Sequence, residues 1–176
     1  AEDGPIVAGG VSFGAHLAAE WALANLDRCR GLVLAVPGWH GDPGDAPGAV
    51  SARVGAELVR TRGVDGALEA ATAGVPDWLA AELNRSWRGY GDALAESLAA
   101  PAERPAPTLA ELARLDLPVG IAGFLDDPVH PLAVAKQWLS ALPRATLCTT
   151  RLEVLGADPE SLGRAAVLAW LRAGGR

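Results

Sequence analysis

Short apolar runs alternate with segments of helical period at both ends of the chain. Residues 5–11 (PIVAGGV) read as a strand of small apolar residues. Residues 13–26 then read as a helix, with Leu17, Trp21 and a run of alanines on one apolar face. A second buried strand follows at 31–36 (GLVLAV) and ends at Pro37-Gly38. Residues 118–124 (PVGIAGF) make a third, followed by a helix over 132–142. A fourth strand is expected near 145–154, interrupted by Thr149, Thr150 and Arg151. The last helix is well signalled: Asp158 suits the N-cap, Pro159 the first helical position, and Gly174-Gly175 the far end. Leu162, Ala166, Ala169 and Trp170 would line its buried face. Strands alternating with helices predict an α/β fold with a parallel sheet of about four strands and flanking helices.

Residues 41–107 break the alternation. They open on a turn-rich loop (GDPGDAPG), carry helical patterns near 49–61, 64–73, 76–86 and 90–99, and close on PAERPAP. The expected organisation is a core of residues 1–40 and 108–176 with a helical insertion at 41–107. Ligands of open α/β sheets bind at the carboxyl ends of the strands, so an insertion between two strands reads as a lid.

Composition narrows the function classes. The 176 residues suffice for one domain with a substantial core. Half are hydrophobic, yet no apolar run approaches the ~18 residues of a membrane span. No secretory signal pattern is visible, so the simplest expected address is cytoplasmic, with no membrane partner. The net charge of -6 is scattered, which argues against a nucleic-acid surface. Cys29 and Cys148 fit neither a disulfide framework nor a zinc spacing, and neither a metal nor a cofactor is expected. No methionine occurs, not even at position 1, which suggests a processed chain or a fragment.

Gly10-Val11-Ser12-Phe13-Gly14 matches G-x-S-x-G directly after a strand and before a helix. Such a turn presents the serine oxygen above the sheet as a nucleophile. Glycine at 10 and 14 is expected to relieve crowding, with Gly9 adding room. The Phe13 amide and the helix N-terminus would face a developing oxyanion.

With these residues the chain resembles the α/β-hydrolase superfamily, from about residue 4 to residue 172. GGVSFGAHLAAEW is similar to the family's nucleophile strand, elbow and helix; LDLPVGIAGFLDDPVHP to the strand and loop of its catalytic acid; DPESLGRAAVLAWL to its last helix. The resemblance implies a partial α/β-hydrolase fold holding the fifth to eighth strands. It implies Asp127 as the acid, because the family's acid stands four residues before a proline and Asp127 precedes Pro131 by that spacing. It also implies a histidine between the last strand and the last helix. Here that loop reads Leu155-Gly156-Ala157-Asp158 and holds none. His16, inside the first helix, is expected only to pack or hydrogen-bond. His40 and His130 remain as substitutes for the base. Neighbouring strands lie ~4.8 Å apart, so the loop after the second strand stands between the Ser12 and Asp127 loops, and His40 is geometrically the better of the two.

The family's second oxyanion amide comes from a loop after its third strand, which has no counterpart here. Strand 5–11 is therefore expected to be an exposed apolar edge that favours self-association, and the chain to be the C-terminal portion of a longer hydrolase. The function expected is a serine-type hydrolase of carboxylic esters or related acyl compounds, acting through acyl-Ser12 on a small-molecule substrate. The alternatives are a non-catalytic relative that binds a small apolar ligand, supported by the absent histidine, and a structural or interaction role that uses only the α/β scaffold.

Overall fold

The computed structural model describes residues 4–176. The chain divides into two compact units: residues up to Pro43 together with Pro105–Arg176, and Gly44–Arg104.

The first unit is built on four parallel strands in chain order, β1 (Ile6–Val11), β2 (Cys29–Ala35), β3 (Val119–Phe124) and β4 (Ala145–Thr150). Helices α1 (Phe13–Ala24), α5 (Leu109–Leu112) and α6 (Leu132–Ala141) share one core with the sheet; α8 (Ser161–Arg172) covers the other face. Period-two alternation assigns the faces. Leu32, Leu34, Val119 and Ile121 meet Ala15, Ala19, Leu112 and Trp138. Val33, Ala35, Ala122 and Phe124 meet Leu162 and Ala166. Every residue of β3 is buried, as an inner strand packed on both faces requires. A side chain at Gly120 would strike the Trp170 amide at 2.2 Å and the Ala166 carbonyl at 2.3 Å, so glycine there lets α8 lie directly on the sheet. Strand β1 forms an edge, with Ile6 and Val11 more than half exposed.

Several elements differ from expectation. The buried residues of α1 are Ala15, His16, Ala18, Ala19 and Ala22, while Leu17 is exposed. At Gly14–Ala15 the helix backbone runs so close to Gly10 that no Cβ fits between them. Strand β4 stops at Thr150, and Leu152–Ala157 form helix α7. No local side chain caps α7; the Asp126 carboxylate accepts from the Leu152 amide at 2.9 Å, a cap delivered from 26 residues away. Helix α8 begins at Ser161, three residues past the expected cap. Asp158 instead turns the chain, accepting from the Glu160 amide through its side chain and from Ser161 through its carbonyl.

The second unit holds α2 (Pro47–Thr72), α3 (Asp77–Tyr90), one 3-10 turn and α4 (Leu94–Ala102). The expected break between two helical segments falls at Gly63, whose φ of 70° interrupts α2. Val59, Ala67, Leu94 and Ala95 form its core. The Arg53 guanidinium donates to the Ala102 and Gly44 carbonyls, tying the ends of the unit together. No helix among the described residues is long and apolar enough to cross a membrane.

Candidate active site

Ser12 sits between β1 and α1 with φ 54° and ψ -119°. A non-glycine residue held there stores of order 1–3 kcal/mol, so the surroundings must enforce it. They do so from both sides. The Ser12 amide donates to the Ala35 carbonyl at 2.9 Å, extending the β1–β2 ladder through the turn. Below, a Cβ on Gly10 would lie 2.1 Å from the Gly14 carbonyl oxygen, and one on Gly9 2.7 Å from the Val33 carbonyl oxygen. Gly14 differs from expectation: a Cβ there meets nothing within 4 Å, because it points out of α1. The crowding is borne by Gly9 and Gly10.

Serine commonly caps a helix through its side chain, but Ser12 makes no such bond to α1. Its Oγ lies 2.9 Å from His130 Nε2. On the other side of that ring, Nδ1 lies 2.8 Å from Asp127 Oδ2. The three side chains form a continuous Ser–His–Asp line, with Asp127 and His130 delivered by one loop between β3 and α6.

That loop is organised by the Asp127 carboxylate itself. Asp127 Oδ1 accepts from the amides of Val129 at 2.7 Å and His130 at 3.1 Å, while Oδ2 takes the imidazole. One carboxylate thus fixes both the backbone and the ring of the histidine three residues on. Pro131 adds to this, since a residue before proline is held out of the helical region. With Nδ1–H donated to Asp127, Nε2 carries the lone pair that faces Ser12. The two side chains are 8% and 20% exposed, so the pair is largely withdrawn from water. Burial pushes the Asp127 carboxyl up, but the His130 hydrogen bond, the His130 charge and the two amides outweigh it, leaving the group below its ordinary value.

The imidazole against Ser12 therefore belongs to His130, not to His40, the substitute that strand spacing favours. Two features account for the difference. The loop after β2 folds inward, with Trp39 7% exposed. And Asp127 and His130 together span the two strand spacings, ~10 Å, between β3 and β1. His16 keeps its expected packing role: fully buried, it accepts from the Gly38 and Trp39 amides at 3.1 and 3.4 Å. Burial first, and the His130 charge second, lower its pKa to about 4. Phe13 opens α1 beside Ser12, at the positive end of the helix dipole. Cys29 and Cys148 are free thiols, and no three metal-ligating side chains converge among the described residues.

No family model matches the sequence, and no curated protein matches it. Solved structures do. A carboxylesterase structure from the thaumarchaeon Nitrososphaera gargenis superposes with a TM-score of 0.73 at 14% identity, over 98% of this chain and 66% of that one. A hydrolase from Oleispira antarctica gives 0.71 at 15% identity, over 96% and 66%. A thermophilic esterase from Thermogutta terrifontis gives 0.66 at 23% identity, over 96% and 65%. The chain thus spans about two thirds of the length of the structures it matches. Four parallel strands in order, helices on both faces, a strained serine turn after β1 and these superpositions together establish that the chain has the α/β-hydrolase fold.

Proposed function

We propose that the chain carries the nucleophile, base and acid of a serine hydrolase of carboxylic esters or related acyl compounds. The observation that carries this reading is the Ser12 Oγ–His130 Nε2–Asp127 line, at 2.9 and 2.8 Å. Its geometry suits general-base activation of a hydroxyl, which is otherwise a poor nucleophile at neutral pH. As Oγ bonds to the acyl carbon, its proton passes to His130 Nε2; Asp127 keeps the ring oriented and stabilises the imidazolium. The carbonyl oxygen gains the negative charge and takes a hydrogen bond from the Phe13 amide. Collapse breaks the bond to the leaving alcohol, which receives the proton from His130. Water then attacks acyl-Ser12, giving its proton to His130, and the acid departs as Oγ regains a proton. The same line weighs against a purely ligand-binding relative, whose sequence support was the absence of a histidine after the last strand.

The test is covalent labelling. A fluorophosphonate should add to the chain at one site, read by intact mass, and Ser12→Ala should abolish the adduct. An unlabelled wild-type chain, or a label that survives Ser12→Ala, contradicts the proposal.

A further inference from the structure

His16 is a fully buried titratable group with no part in the proton transfers above. It lies on α1 four residues past Ser12, enclosed by aromatic rings: Trp39 at 4.6 Å, Trp138 at 5.8 Å and Phe13 at 6.0 Å between centroids. Its Nε2 accepts from the Gly38 and Trp39 amides, and its Nδ1 is buried without a hydrogen-bond partner. Two amide donors aimed at Nε2 require a lone pair there, so the ring is neutral with its proton on the unpartnered Nδ1. That arrangement leaves a buried N–H unsatisfied, and the return is the grip on the turn after β2.

The turn needs such a grip. Val36 has φ 45°, a strained value for a β-branched residue, and is followed by Pro37. The turn is held from the other side by Trp138 Nε1, which donates to the Trp39 carbonyl at 3.1 Å. It is also the joint between the two catalytic loops. The Ser12 amide is bonded to the Ala35 carbonyl, and the Val36 amide to the Ala122 carbonyl on β3, at 2.9 and 2.8 Å. A shift of Val36 would move both bonds together, and with them the spacing from Ser12 to the β3–α6 loop that carries His130.

We propose that His16 is a positioning residue for Ser12: as a neutral acceptor it pins the strained Val36–Trp39 turn and so fixes the separation of the nucleophile from the Asp127–His130 loop. This rests on the serine-hydrolase reading. A misplacement of about 1 Å at a reacting centre costs up to ~100-fold in rate, so a lost grip should appear in kcat.

The test has two arms. In wild-type protein, 15N NMR of the imidazoles should show His16 with Nε2 unprotonated and Nδ1 protonated; a proton on Nε2 overturns the proposal whatever the activity. In ester hydrolysis, His16→Leu should lower kcat ~10- to 100-fold with KM changed less than ~3-fold. His16→Gln, whose side-chain oxygen can accept from the same amides, should recover most of that loss and also serves if the leucine variant does not fold. Full kcat in folded His16→Leu, or no recovery in His16→Gln, overturns the proposal alone. A wild-type chain inert to both ester and fluorophosphonate sinks the hydrolase reading instead, leaving the NMR arm to decide whether His16 holds the turn.

Discussion

Replacing Asp127 by Asn changes one atom of the acid and inverts the logic of the site. The carboxylate accepts three hydrogen bonds, from the amides of Val129 and His130 and from His130 Nδ1. An amide side chain offers one accepting oxygen and one NH2. With the oxygen on the two backbone amides, the NH2 faces Nδ1 and donates to it. The imidazole proton then moves to Nε2, where it points at Ser12 Oγ and no lone pair remains to take the serine proton. The loop keeps its turn, so folding is preserved while the lone pair facing Ser12 is lost. A tautomer inversion of this kind in a Ser–His–Asp site costs ~10⁴-fold, about 5.4 kcal/mol of barrier. The assay is the second-order rate of fluorophosphonate inactivation, with circular dichroism confirming the fold. A variant labelled within ~3-fold of wild type would show that Asp127 does not set the His130 tautomer, and the orienting role would be withdrawn.

Two further outcomes follow from particular contacts. Gly10→Ala would force a Cβ to within 2.1 Å of the Gly14 carbonyl oxygen and should unfold the Ser12 turn, whereas Gly14→Ala meets nothing and should fold normally; thermal unfolding of the pair that shows equal losses would contradict the geometry. His16 also makes stability pH-dependent: with a folded pKa of about 4 against 6.5, its contribution is full above pH 6.5 and is lost as pH falls through about 4. The unfolded chain takes up the proton first, and the gap between the two values at 1.36 kcal/mol per pH unit amounts to ~3 kcal/mol. Urea midpoints from pH 7 to pH 4 should therefore fall more steeply in wild type than in His16→Gln, and parallel curves would refute this.

What the sequence disclosed was local, and what it withheld was made by contacts between distant residues. The strand–turn–helix around Ser12 is written in adjacent residues, so its serine and the small residues before it were legible. The resemblance to the α/β hydrolases is what singles out Asp127, four residues before Pro131. The pairing of Asp127 with His130 is also local, a carboxylate turning back on the residue three later, but its reach to Ser12 crosses 118 positions. Helix α7 was missed for the same reason, since its cap arrives from Asp126. Apolarity alone points Leu17 into the core, while the face of α1 that is buried carries four alanines and His16.

The central claim is that His130 is the base that activates Ser12. The most direct measurement is the fluorophosphonate labelling rate of His130→Ala beside His40→Ala and wild type. Loss of a positioned base should slow labelling of the His130 variant at least ~100-fold and leave the His40 variant at the wild-type rate. Full reactivity in His130→Ala, or its loss in His40→Ala, would contradict the account.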